Sequence, residues 1–430
     1  MKRWIILIMC LVLRSSALSA EFAGGTGEPN DPYQIATAEQ LIAIGSDSDL
    51  LDKSFVLVAD IDLDPDLPGG RVFEDALIAP DSSGGVGGHS GASFRGVLDG
   101  RGHTIANLYI MGRYGYDAGL IGKLDGLVVD LNLLDVVVSG SPCGSMAGLN
   151  HGGMILRCHV TGLVSGIKEV GGLVGTHWDA SIIDCRAEVR VVGKDSIGGM
   201  VGGGPGGTLI GCNVQAEVSG DRRVGGLVGQ SHDGEILECS ASGTVIGKDE
   251  VGGLIGDSDE TMLCMSSADC DVTAERIAGG LAGRAIWGIT GALIADCYAR
   301  GSVTGSVIGG LAGEARNNQF LNCYAACEMF PVEIEGEELH VGGLFGDARI
   351  PVWAPMTISC FWDVELSQIP FGASTHMQDL ELGMGLTTGQ MQDREVYENA
   401  GWDFKTVWMI SEGNYPRHQW QAEEGEEPQP

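Results

Sequence analysis

The sequence predicts an all-β chain wound as a parallel β-helix (a β-solenoid) with about 27 residues per coil and a cap at each end. Three observations predict it. A five-residue phrase of the form Gly-Gly-Leu-Val-Gly begins at Gly171, Gly198, Gly225, Gly252 and Gly279, each start 27 residues after the last. Other residues keep step with the phrase, among them Cys158, Cys185, Cys212 and Cys239, each 14 residues after the first residue of its motif. Glycine supplies 69 of 430 residues and aromatics only 6%, a mixture that suits small stacked coils with many turns better than a wide globular core.

Taken in order, Lys2 and Arg3 precede an apolar run from Trp4 to Leu13 and the small residues Ser15 to Ala20. This reads as a signal peptide over residues 1–20, cleaved after Ala17 or Ala20. The run is too short to span a bilayer comfortably, so no membrane insertion is expected after cleavage.

Residues 21–115 read as an N-terminal cap and first coils. Ile35–Ile44 suggests a short helix, Ser54–Asp62 a strand, and Phe94–Gly100 and Thr104–Ile110 the start of the winding.

The solenoid body is assigned to residues 116–364, with motif copies from Ala118–Gly122 to Gly342–Gly346. A strand advances about 3.3 Å per residue, so 27 residues in a narrow rod must turn about three times per coil. Nine coils stacked at about 4.8 Å would make a rod of roughly 40 Å before its caps. The doubled glycines are expected where the chain bends, supplying positive φ and close backbone approach. Apolar positions such as Val170, Leu173, Ile182 and Val191 recur in nearly every coil and are the candidate core. Of the adjacent pair Leu173 and Val174, a flat strand would bury only one. The cysteine ladder places like side chains side by side, a poor disulfide geometry, so buried thiols are expected.

The metre falters in several places. Ser266 replaces the ladder cysteine, an insertion around Trp287–Gly291 delays Cys297, Pro331–His340 forms an acidic loop, and Pro205 to Gly207 interrupts another coil. Irregular loops on a solenoid are where binding commonly sits. Residues 365–420 read as a C-terminal cap, with Thr387–Asn399 helical and Trp402, Trp408, Tyr415 and Trp420 covering the last coil. Residues 421–430 read as an acidic disordered tail.

Charge narrows the function classes. The formal net charge is −33, and removing Lys2, Arg3 and Arg14 takes it to −36. With no basic cluster, nucleic acid is not an expected partner.

The repeated phrases resemble the GLUG-motif repeat proteins, which occur among bacterial surface and secreted proteins, including some immunoglobulin-cleaving metallopeptidases. The segments Ala59–Leu63 and Phe94–Ile105 and the stretch from Trp408 to Trp420 also look like the flanks of such proteins. In the peptidase members the repeats accompany a separate zinc-protease domain. None of the nine histidines here begins a His-Glu-x-x-His sequence. The resemblance therefore implies a secreted or surface-displayed solenoid of the adhesin type.

Several constellations bear on chemistry. Asp60, Asp62, Asp64 and Asp66 alternate like a calcium loop, but Pro65 and Arg71 stand where its glycine and glutamate belong. Asp179, Asp184, Glu188, Asp195, Asp233, Glu238 and Asp249 spread over several coil positions and read as solvated faces. His151, His177 and His232 follow the motif at unequal offsets and read as polar turn residues rather than a metal stripe.

No catalytic, cofactor-binding or metal-binding residues are assigned. No cofactor is expected, and calcium is the alternative. The expected function is a secreted, non-catalytic surface for adhesion, matrix association or binding of an extracellular glycan or protein. The alternatives are a carbohydrate-active β-helix enzyme, lyase or hydrolase, and an accessory module of a secreted enzyme.

Overall fold

The structure is a computed structural model and describes residues 22–82, 90–286, 293–336, 338–349, 357–374 and 382–422. The proposed signal peptide, the insertion around Trp287–Gly291 and most of the acidic tail lie outside the described residues.

Parallel strands stack in register, each pairing with the equivalent strand about 27 residues away. The coil beginning at Asp195 shows the plan. A strand at Asp195–Gly198 lies on a narrow face and Val201–Pro205 on a second face. Thr208–Ile210 follows on a third and Asn213–Ser219 on a fourth, the longest. Repetition gives parallel sheets of 7, 10, 12 and 13 strands among the described residues. Twelve strands at about 4.8 Å make a rod of about 50 Å, longer than the nine motif coils alone.

The winding thus has four sides from Lys168 onward, where three turns per coil were expected. The additional corner falls inside the motif. Gly172 and Leu173 form a bend between the strands Lys168–Gly171 and Val174–Trp178. The bend turns Val170, Leu173 and Val174 all inward, each fully buried, so the question of which neighbour is buried resolves to both.

The glycines of the motif act differently from expectation. They do not occupy the left-handed region; the positive-φ positions lie elsewhere in the coil. What they supply is proximity. A Cβ at Gly199 would stand 2.2 Å from Gly226 O and 2.6 Å from a Val214 methyl. Gly226, Gly253, Gly280 and Gly310 likewise face Ala241, Ala268, Ala299 and Ala325 across the interior. Glycine against alanine lets the motif bend and the longest face close to van der Waals distance, and the remaining apolar ladders fill the wider part of the section.

The true left-handed corners carry polar residues. One runs through Asp179, Gly206, Asp233 and Glu260, and another through Arg157, Asp184, Gly211 and Glu238. Short polar side chains and glycine tolerate that conformation best. Four of the carboxylates read as solvated faces are therefore corner residues.

The ladder cysteine follows the second corner, and its thiol donates back to the carbonyl two residues before it. Sγ to O is 3.3 Å for Cys185 to Ile183, 3.5 Å for Cys212 to Ile210 and 3.2 Å for Cys239 to Leu237. Ser266 repeats the bond at 2.8 Å to Cys264 O, which explains how it can replace cysteine. All eleven described cysteines are free thiols, and all but Cys264 are buried, as expected for small hydrophobes.

The ends are built as follows. A helix at Ala38–Ile44, capped by Thr37, sends Leu41 and Ile44 into the core. It is shorter than the predicted Ile35–Ile44 because Ile35 belongs to a strand at Tyr33–Ile35. Ser54–Asp62 and Thr104–Ile110 each divide into two strands.

The C-terminal segment does more than cover the last coil, onto which Ala373–Ser374 and Met384–Leu386 pair. Its helices, Thr388–Met391 and Arg394–Asn399, are separated at Asp393, which caps the second. The segment then runs back along the outside of the longest face. Trp402, Trp408 and Tyr397 form a second core there with Tyr298, Tyr324 and Phe361. Three indole N–H groups lock it to left-handed corners of three different coils: Trp402 to Ser359 O, Trp408 to Asp296 Oδ1 and Trp420 to Met265 O, each 3.1 Å. Trp362 instead lies inside the rod.

Candidate functional site

A groove of about 700 Å³ lies on the outer side of the second face, within the usual range for ligand sites of ~300–1,000 Å³. Its floor follows from strand pairing. At one outward position successive coils carry Leu149, Thr176, Gly203, Gln230 and Asp257. At the next outward position stand His151, Trp178, Pro205, His232 and Asp259. At Gly203 the outward side chain present on both neighbouring coils is missing, and a trench opens.

Gly203 is unlike the motif glycines. A Cβ built there meets nothing closer than 3.4 Å, at Ser196 Cβ, and its φ lies outside the left-handed region. Neither packing nor conformation demands glycine at this position. Glycine weakens a strand, so its effect here is to leave space.

Trp178 forms one wall. It is 47% exposed, and its ring meets His151 edge-on at 5.7 Å. Tyr114, 69% exposed, stands among the other lining residues with Asp117 and Pro142. The polar lining is tethered. Glu169 accepts from Thr176 Oγ1 at 3.0 Å and pairs with Lys168 at 3.3 Å. Gln230 accepts from Arg223 at 2.6 Å and donates to Asp257 at 3.3 Å. These groups are held before any ligand arrives, the usual condition for selective polar recognition.

Behind Gln230 lies an ion network. Arg284 makes two bonds to Asp257, at 2.8 and 2.9 Å, and reaches Glu250 at 3.4 Å. Arg222 meets Glu250 at 3.0 Å, and Arg223 pairs with Asp195. Asp257 and Glu250 expose only 1% and 4% of their side chains, so their guanidinium partners compensate buried charge.

The other candidates fall apart geometrically. His151 and His232 point outward, whereas His177 points inward and is buried within the core, which corrects its reading as a turn residue. Burial pushes the His177 imidazole down to about 4, so it is neutral at ordinary pH. Its Nδ1 lies 3.4 Å from Asn150 Nδ2.

Asp60 accepts from Thr104 N at 2.9 Å and meets His103 at 3.0 Å. Those contacts hold its carboxyl below the usual range, the Thr104 amide first. Asp62 and Asp64 accept from the amides of Asp64 and Asp66. Asp60 and Asp62 thus tie neighbouring coils together, and Asp62 and Asp64 also serve the local turn. Asp195 and Asp249 pair with Arg223 and Arg276, and Glu188 with Arg186. The Pro331–His340 loop exposes Val332 and Leu339, and His340 lies 3.8 Å from Glu338.

Sequence reasoning noticed Pro205 to Gly207 only as an interruption. The available signal was adjacency, since the repeat places Trp178 and Pro205 at one outward position on neighbouring coils.

The model of the GLUG motif matches residues 168–192 and 220–246. Halomucin of Haloquadratum walsbyi is 35% identical over 163 residues, 36% of this chain and 2% of that protein. A protein of Evansella cellulosilytica, provisionally named a Gly-rich membrane protein, is 32% identical over 129 residues, 29% of this chain and 14% of its own length. The chain thus matches a small part of each relative. A crystal structure from Bacteroides ovatus, provisionally described as an immunoglobulin A1 protease, aligns over 93% of this chain and 96% of its own. The identity there is 19% and the TM-score 0.42. Among the described residues no helix is long and apolar enough to cross a membrane. The motif matches and the register of the coils describe a β-solenoid that carries the GLUG motif.

Proposed function

We propose that the protein is a secreted or surface-displayed, non-catalytic solenoid that presents its outer faces for adhesion, matrix association or the binding of an extracellular glycan or protein. The observation that carries this reading is the groove beside Trp178, which is a surface depression built by omitting side chains from an otherwise regular wall. Its carboxylates support binding over bond cleavage. Glu169 is engaged by Thr176 and Lys168, and no reaction need be invoked for it.

The chain's acidity fits a surface protein that repels its like. The relatives named as a halomucin and a membrane protein lend the extracellular setting support.

A glycan array together with cell-binding and protein-capture assays on the mature chain tests the reading. Capture of cells, glycans or protein supports it, and absence of all three overturns it. Incubation with acidic polysaccharides tests the enzymatic alternative. New reducing ends or unsaturated products, abolished by a single carboxylate substitution, would replace the scaffold with a lyase or hydrolase.

A further inference from the structure

The geometry points to the trench over Gly203 and Gly204, walled by Trp178, as a binding site for a neutral polysaccharide chain. This assignment rests on the non-catalytic binding reading and gives it a ligand class.

Three observations converge. The first is Trp178. Trp362, Trp402 and Trp408 are buried and Trp420 is partly buried against the flank, but Trp178 lies 47% exposed on the second face, where Leu149 and Pro205 also line the groove. An exposed indole beside a concavity is a flat apolar surface of the kind on which the C–H face of a sugar ring rests.

The second is Gly203. Thr176 and Gln230 flank it at the same outward position, and the space for a Cβ is present, yet the side chain is missing. The resulting channel runs between Thr176 and Gln230, a hydroxyl and an amide able to exchange hydrogen bonds with sugar hydroxyls.

The third is charge. Asp81, Asp117 and Glu169 line the groove against Lys168, in a chain of net charge −33. Carboxylates accept well from neutral hydroxyls and repel uronates, sulfates and phosphates. An anionic polysaccharide would meet like charge both locally and at long range. A peptide could also lie in a groove of this size, but the faces beside the trench already have their backbone groups paired in the parallel ladder, leaving no strand edge for it to extend.

The test uses the full mature chain and two substitutions. Trp178→Ala removes the platform, and Gly203→Gln restores the side chain that the next coil carries. Binding is measured by calorimetry and affinity electrophoresis against β-glucan, mannan, galactan and chitin oligosaccharides, with alginate and pectate as anionic counterparts. The expected result is binding of at least one neutral glycan, weakened at least tenfold by each substitution, with thermal melting of both variants unchanged.

Neutral-glycan binding that survives both substitutions would overturn the assignment, as would binding of the anionic polymers alone. If the wild type takes none of these polysaccharides yet captures cells or protein, the glycan assignment fails while the scaffold reading stands. If it captures nothing, both fail.

Discussion

Replacing Gly199 by alanine separates the packing role of the motif from a turn-forming one. The added methyl would sit 2.2 Å from Gly226 O, 2.6 Å from Val214 Cγ1 and 3.2 Å from Ala216 Cβ. The oxygen in question already accepts the Gly199 N–H at 3.1 Å, a bond between adjacent coils. Clearing the clash requires a displacement of about 1 Å, since a Cβ approaches other atoms closer than about 3 Å only under severe overpacking. Neighbouring coils are fixed to one another on all four sides, so the shift loosens that bond and crowds Val214.

Overpacking of this kind costs about 1–3 kcal/mol and a weakened hydrogen bond about 1 more. The sum, about 2–4 kcal/mol, corresponds to a melting decrease of about 2–5 °C for a chain of roughly 400 ordered residues. Gly203→Ala is the matched control. Its methyl meets nothing inside 3.4 Å, so it should be neutral or stabilise by up to about 1 kcal/mol. Thermal and urea denaturation followed by circular dichroism measure both. Equal effects from the two substitutions, or a wild-type melt for Gly199→Ala, would refute the reasoning.

Further expectations concern the thiols, the ion network and pH. Ten of the eleven described cysteines are buried, and burial pushes Cys143 and Cys327 up to about 12. Ellman's reagent should therefore label the native chain slowly, Cys264 first, and all thiols after denaturation; rapid native labelling of several thiols would contradict this. Arg284→Ala strips compensation from Asp257 and Glu250 and should cost about 2–3 kcal/mol. Arg190→Ala, which loses only an exposed pairing with Glu217 at 3.8 Å, should be nearly neutral in the same melts. Burial holds His177 near 4 in the folded chain, below an unfolded value of about 6.5, so the unfolded state binds the proton first as pH falls. Its contribution to stability is complete above about pH 6.5 and declines by up to about 1.4 kcal/mol per pH unit down to about pH 4. His177→Gln should remove that part of the pH dependence, and a parallel pH profile for the two proteins would show that the imidazole is not buried neutral.

Much of the fold was legible because a solenoid writes its period into the chain. Equivalent positions stack, so Val170 and Ile197, or Ile182 and Leu209, had to be equally buried once the 27-residue register was recognised. The fourth side was hidden because a bend within Gly172-Leu173 leaves no Pro or positive-φ signature. The C-terminal cladding was hidden too, since Trp402 and Trp408 announce a hydrophobic surface but not which one. Tyr298 and Tyr324, outward residues on an exposed face, were the sign that something covered it.

The candidate site was legible least. A glycine in a glycine-rich repeat is unremarkable until the space around it is seen, and Gly203 has room for a side chain of the kind its neighbours Thr176 and Gln230 possess. Of the breaks expected to bind, Pro331–His340 lies toward the other end of the rod from this groove, and Trp287–Gly291 falls outside the described residues.

The central claim is that the regular coils are structural and the broken coil holds the binding site. Exchanging residues 195–221 for a second copy of 222–248 tests it most directly, because both segments are one coil long and share a register. Circular dichroism and melting follow the fold of the exchanged chain, and calorimetry its affinity for the neutral polysaccharide. The expected result is an intact solenoid that no longer binds. Retained binding would show that the trench is not the site, and loss of the fold would show that the coils are not interchangeable structural units.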